Sequence, residues 1–260
     1  MGVKQEISYL IENIKFNLAS AMEYKFNFLF MTTSMILNNV FLLLFWWILF
    51  DKFKEMNGWM FQDFMMLMAV VSVAIGLSRT LFYNARKLHK NISEGGLDYY
   101  IVLPKSILLN SIVKIDYAGI GDLVFGILIG VLAIDPINYP LFIVLVILSS
   151  IIYTSFILII NSSSFFIGKG ESLSNSLELG IIVFSTYPFS LFGGLSRFLL
   201  LTIIPAGFVG GIPVGILKSF NWQWFLILLG FTVLIALLAY LIFRIGLKRY
   251  ESGNLIVVRE

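Results

Sequence analysis

Long apolar runs dominate this chain, and short polar stretches divide them. The first run, Phe26–Phe50, closes on the aromatic pair Trp46 and Trp47, and the charged loop Asp51–Gly58 follows. The second, Phe61–Phe82, is entered past Trp59 and left at Arg79 and Arg86. Further runs cover Ile115–Ile134, Pro140–Ile160, Leu177–Leu191 and Trp222–Ile245. The first two are close to the ~20 residues that a helix rising ~1.5 Å per residue needs to cross a hydrocarbon core. The pattern predicts an all-α polytopic membrane protein, a single transmembrane domain over residues 1–260 with six transmembrane helices.

The polar stretches carry their own signals. Over residues 4–25, Ile7, Leu10, Ile11, Ile14, Leu18, Ala21 and Met22 recur at helical spacing on one face. Such a helix either lies in the membrane interface or packs, solvated, on other protein; the adjoining apolar run favours the interface. Residues 84–105 are too long for a simple turn and place Arg86, Lys87, His89 and Lys90 in their first half. The stretch Gly193–Ser219 is apolar enough to suggest a seventh span. It holds Pro205 and Pro213 with Gly207, Gly210 and Gly211 between them. Interior prolines remove backbone donors and clash with the preceding turn. Two half-helices forming a re-entrant element over residues 193–219 are therefore expected, with protein around the broken backbone.

Charge placement supports that choice. With six spans and both termini in the cytoplasm, 14 of the 18 Lys and Arg face inward, and only Lys52, Lys54, Arg197 and Lys218 face out. A seventh span would carry Arg244, Lys248 and Arg249 outside, against the positive-inside rule.

Composition agrees with the pattern. Hydrophobic residues make up 59% of the 260, and charged residues 13%. The mean hydropathy is +0.93. A soluble domain is nearer about 45–50% apolar. There is no cysteine, which excludes disulfides, thiolate metal sites and thiol nucleophiles. The single His89 argues against a histidine metal site or a catalytic triad. A net charge of +3 gives no reason to expect a nucleic-acid partner. The N-terminus, with Lys4, Glu6, Glu12 and Lys15 ahead of any apolar run, does not read as a cleavable signal peptide.

Three constellations could carry chemistry. On the third span, Gly119, Asp122, Gly126, Gly130 and Ala133 share one face. Small stripes let helices approach closely, either inside the bundle or between two membrane subunits. Asp122, at membrane depth, should face protein or water. At the cytoplasmic start of the fifth span, Glu171, Ser174, Asn175 and Glu178 form a polar face. It reads either as the entrance to a substrate cavity or as a solvated helical cap. Ser150, Thr154 and Asn161 form a weaker polar line on the fourth span, where hydroxyls often bond their own backbone. Catalytic alternatives lack their groups. No His, Asp and Glu cluster is present for a metal-dependent hydrolase or a lipid-modifying enzyme. The string Gly168-Lys169-Gly170 has Ser163 where a phosphate-binding loop needs its first glycine, and Gly170 where that loop needs a hydroxyl. No catalytic residue, metal site or cofactor is expected in this chain.

Three stretches, in order, resemble the permeases of the type-2 ATP-binding-cassette (ABC) exporter family, in its compact six-span multidrug, viologen or peptide branch. The first is Ile92-Ser93-Glu94-Gly95-Gly96-Leu97-Asp98-Tyr99-Tyr100-Ile101-Val102-Leu103-Pro104. The second is Tyr187-Pro188, then Arg197-Phe198-Leu199-Leu200, Ile203-Ile204-Pro205-Ala206-Gly207-Phe208 and Pro213. The third is the tail Gly246-Leu247-Lys248-Arg249-Tyr250-Glu251-Ser252. The resemblance implies a multi-pass permease of a prokaryotic cell membrane. It would build a substrate path with a second permease, the same or a different chain, and be driven by a cytosolic ABC ATPase dimer that binds the ATP and magnesium. It further implies that Leu97, Asp98, Tyr99, Tyr100 and Pro104 belong to an ATPase-coupling helix. Tyr187, Pro188, Arg197, Pro205 and Pro213 would form an outer gate. Asp122, Glu171, Asn175, Glu178, Ser150 and Thr154 are the candidates for the path. The competing reading is a membrane binding, sensor or immunity protein that transports nothing.

Overall fold

The computed structural model describes Glu12, Lys15 and residues 25–103, 106–168 and 170–251. The interfacial helix expected over residues 4–25 falls almost wholly outside the described residues, as does Pro104. Four long helices are apolar enough to cross a membrane: α1 (Lys25–Phe53), α2 (Phe61–Leu81), α8 (Tyr139–Ser162) and α13 (Trp222–Leu247). Two shorter ones are α7 (Ala118–Ala133) and α10 (Glu171–Ser185), with 16 and 15 residues. At ~1.5 Å per residue neither reaches ~30 Å by itself. The described residues thus hold four or five candidate spans by length, the fifth being a bent pair of helices.

Burial sorts these helices. Of the most apolar stretches, 67% of residues are buried in α2 and 72% in α8, against 6% in α1 and 22% in α13. Neighbour contacts run α1 to α7 to α2 to α8 to α13. The central pair therefore meets protein over most of its surface, although α8 keeps an exposed face at Ile143, Val144 and Ile147, and the outer helices present Leu and Phe outward, as at Phe41, Phe45, Leu234 and Leu238. A helix apolar all round is stable at both kinds of position once lipid replaces water.

The fifth apolar run differs most from its sequence-based bounds of 177–191. Its helix starts at Glu171 and ends at Ser185. Glu171–Asn175 supply good first-turn chemistry, with a carboxylate near the positive end of the helix dipole. A short turn at Phe189–Leu191 replaces the predicted last turns.

The proline-rich stretch breaks where Pro205 stands. Helix α11 (Gly194–Thr202) and the following half, a wide π turn at Gly207–Gly211 continued by α12 (Ile212–Lys218), are bent by 78°. Pro213 cannot donate to the preceding turn, and the wide turn immediately before α12 accommodates that gap. Gly210 fits against the Ser185 carbonyl, which a Cβ there would approach to 2.5 Å. Phe208 stacks on Phe231 of α13 with ring centroids 3.9 Å apart. The second half, from Pro205 on, is thus enclosed by protein, whereas α11 and Ile203 at the break are largely exposed. At its end, Lys218 pairs with Asp63 at 2.8 Å and lies over the Trp59 ring, fastening the half-helix to the start of α2.

Between α2 and α7 the chain makes an excursion through α3 (Tyr83–Arg86), α4 (Leu88–Ser93), α5 (Asp98–Ile101) and α6 (Ile107–Ile112). It returns beside its own start. Lys114 N donates to the Leu81 carbonyl at 3.3 Å, and the Lys114 carbonyl accepts from Tyr83 N at 3.2 Å. Asp116 N donates to the Thr80 carbonyl.

Candidate functional site

The glycine face of α7 packs against α2. A Cβ on Gly119 would lie 2.5 Å from Thr80 Oγ1 and 2.7 Å from the Gly76 carbonyl, and one on Gly126 would lie 2.7 Å from Val73 Cγ2. This is the reading of the small-residue stripe as packing within the bundle. The close approach has a polar consequence, because it carries Asp122 within reach of Arg79 on the last turn of α2.

Around that contact lies a buried charge network. Arg79 Nη1 is 3.2 Å from Asp122 Oδ2. Asn39 of α1 donates to Asp122 Oδ1 at 2.7 Å. On its other side Arg79 Nη2 is 4.0 Å from Glu178 Oε1. Glu178 also meets Arg86 Nε at 2.5 Å and accepts from the Tyr153 hydroxyl at 3.3 Å. Asp122 and Glu178 are each 6% exposed. Two guanidinium groups therefore offset two carboxylates, and six side chains from α1, α2, α3, α7, α8 and α10 are tied together. Burying even paired charges costs several kcal/mol per ion before pairing offsets it, and intramembrane ionisable groups generally mark paths and sites.

The network stands between two clefts. One, of about 400 Å³, is lined by Ser34, Asn38, Asn39, Ser72, Arg79 and Asp122 together with apolar residues of α10. The other, of about 230 Å³, is lined by Tyr83, Arg86, Lys87, His89, Glu171, Asn175 and Glu178. Asp122 and Glu178 thus come together with Glu171 and Asn175 around one partition. Ser174, by contrast, donates to the Ile160 carbonyl and packs inward. Ser150 and Thr154 line neither cleft. Thr154 Oγ1 lies 2.7 Å from both the Ser150 carbonyl and Ser78 Oγ, which joins α8 to α2. The sequence alone does not mark Arg79, Arg86, Asn39 and Tyr153 as site residues. An amide at Asn39 and a cation at Arg79, both inside apolar runs, were the available signals.

The stretch resembling a coupling element folds as a tight turn. Leu97 is fully buried. Asp98 accepts a hydrogen bond from the Tyr250 hydroxyl at 2.9 Å, and Asn84 donates to the Tyr100 hydroxyl at 3.4 Å. Tyr99 is 62% exposed, and Ile101 and Val102 are also exposed. Leu97, Asp98 and Tyr100 therefore anchor the turn, and the surface it offers is Tyr99, Ile101 and Val102.

At the opposite end Tyr187 stands edge-on to Trp46, with centroids 5.5 Å apart. Pro188, Pro205 and Pro213 are buried. Arg197 lines a third cleft of about 340 Å³ with Gly215, Ser219, Asn221 and Trp224. The proposed outer-gate residues are thus split between a packed turn and an open cleft.

Among the described residues, no group of three or more His, Asp or Glu could hold a metal ion. No curated protein and no solved structure matches the chain. The family model described as an ABC-2 family transporter protein matches residues 8–253, nearly the whole length and all three of the stretches quoted above. The chain belongs to the ABC-2 transporter family and is a membrane permease subunit of that type.

Proposed function

We propose that this permease is the membrane subunit of an ATP-driven exporter, powered by separate cytosolic ATPase subunits that hold the ATP and magnesium. The chain itself is not an enzyme. It crosses the membrane of a prokaryotic cell six times, with α7 and α10 as its short crossings, the bent half-helices as an outer re-entrant element and both termini inside. It forms its path with a second permease. The polar partition between the two clefts supports a path through this side of the bundle. Family membership implies association with ATPase subunits.

The observation that carries the coupling role is the presentation of residues 97–102. A turn anchored by Leu97, Asp98 and Tyr100 projects one aromatic and two aliphatic side chains away from the bundle. Exposed apolar clusters on polar surroundings mark docking sites, and aromatic anchors carry much of the energy of an interface. Tyr99→Asp should raise the ATPase concentration needed for half-maximal stimulation about tenfold, with membrane insertion unchanged. Leu97→Asp is the poorer test, since it would bury a charge and unfold the turn itself. Unaltered stimulation in the reconstituted complex would remove the docking assignment. If no ATPase co-purifies or responds at all, a non-transporting sensor or immunity protein becomes the better account.

A further inference from the structure

The C-terminal end of the last span reaches across the molecule to the docking turn. Tyr250 stands 152 residues after Asp98, and its hydroxyl donates to Asp98 Oδ1 at 2.9 Å. The Tyr250 ring is itself seated. It meets Phe165 edge-on at 6.2 Å, and Phe165 in turn meets Phe243 of α13 at 5.7 Å. Phe165 lies in α9 (Ser164–Ile167), directly after α8. Gly246 leaves room for this ring, since a Cβ there would collide with Phe165. Burial, and after it the bond to Asp98, pushes the Tyr250 phenol up to about 12, so the donor proton is retained far above neutral pH. Two stretches that were separate signatures in the sequence are thus one contact.

We propose that Tyr250 is a positioning residue for ATPase docking: its hydroxyl straps the Leu97–Val102 turn to the cytoplasmic end of α13, fixing the attitude at which Tyr99, Ile101 and Val102 are offered. The proposal rests on the exporter reading for the identity of what docks. The strap itself is a property of the permease alone. The physical case is one of preorganisation. A four-residue helix such as α5 is far too short to be stable by its own hydrogen bonds. A turn that must bind in one orientation gains affinity when it is held there before binding. A phenol donating to a carboxylate is a charge-assisted bond, among the stronger kinds available. A phenylalanine ring keeps the packing on Phe165 and loses only that bond.

The test uses the full-length permease, alone and with its ATPase. In Tyr250→Phe, amide exchange over residues 97–102 should rise about tenfold in the purified permease, the size expected for losing one charge-assisted bond. The half-saturating ATPase concentration should rise severalfold, with the maximal stimulated rate and the melting temperature unchanged. Asp98→Asn keeps an oxygen acceptor and should restore most of the docking affinity that Asp98→Leu loses. Tyr250→Phe combined with Asp98→Leu should be no weaker in docking than Asp98→Leu alone. Unchanged exchange in Tyr250→Phe overturns the strap. Faster exchange with unchanged half-saturation overturns the positioning role. Faster exchange with no ATPase response from either protein defeats the exporter reading, and the docking role with it.

Discussion

Arg79→Leu should lower folding stability by about 3–5 kcal/mol, the range for removing one partner of a buried ion pair, and should abolish transport. The loss falls mainly on Asp122. Glu178 keeps Arg86 and Tyr153, whereas Asp122 retains only the neutral amide of Asn39 among the partners described. A carboxylate 6% exposed cannot recover its solvation from water. Arg79→Lys should be milder in stability, since the charge stays, but the forked contact to two carboxylates is lost. The diagnostic variant is Arg79→Leu with Asp122→Leu. Removing both charges together should restore stability to within ~1 kcal/mol of the parent, while transport stays lost. Thermal unfolding of the detergent-solubilised proteins reads the first quantity and transport in reconstituted vesicles the second. A double variant no more stable than Arg79→Leu would mean that the ion pair is not the source of the loss.

The second large effect is steric. Gly119→Ala should cost about 1–3 kcal/mol, and Gly119→Leu more. Two of the three nearest atoms to the added Cβ, the Gly76 carbonyl and Thr80 N, are backbone, each 2.7 Å away. They can yield only if α2 and α7 separate. Separation would also draw Asp122 away from Arg79, so the steric change should be followed by weakened transport even where folding survives. Gly230→Ala on α13 is the control, because nothing lies within 4 Å of its Cβ. There the better helix propensity of alanine should leave stability equal or up to ~1 kcal/mol higher. If the Gly119 and Gly230 variants melt alike, the two helices are not in the close contact described.

The sequence made the apolar elements legible because lipid imposes length and hydropathy on each one separately. Phe61 opens α2 and Trp222 opens α13 where the apolar runs begin. Pro205 and Pro213 forecast the break, since a proline acts on its own turn. The glycine stripe was legible as a face, but its partner was not, because periodicity within α7 says nothing about which helix it meets. The charge network was the least readable part. Arg79 and Arg86 counted as inward-facing charges at the end of a span, which is what the positive-inside rule expects of them. Their partners Asp122 and Glu178 stand 43 and 92 residues on from them, and only folding selects those pairs. The tail showed the same limit. Asp98 and Tyr250 each lay in a recognisable stretch, yet no pattern in either announced their contact.

The stitched return of the excursion between α2 and α7 has a mechanical meaning. Leu81, Tyr83 and Lys114 join its two ends by backbone hydrogen bonds, and between those ends Arg86 meets Glu178, His89 meets Asn161 and Asp98 meets Tyr250. A push on such a segment reaches the ends of α2 and α7 together, because its own ends are stitched to each other. A push at its tip turns α2 and α7 as one rigid body, without scissoring between them, and the glycine contacts keep them from sliding. The compliant seam is then the one toward α10, bridged by Glu178 to Arg79 and Arg86. Opening there parts Glu178 from both Arg79 and Arg86 and leaves a net charge on each face, so water must enter the seam as it opens. Spin-label distances through the cycle should show the α2–α7 separation constant and the α2–α10 separation changing. The opposite result would place the hinge between α2 and α7.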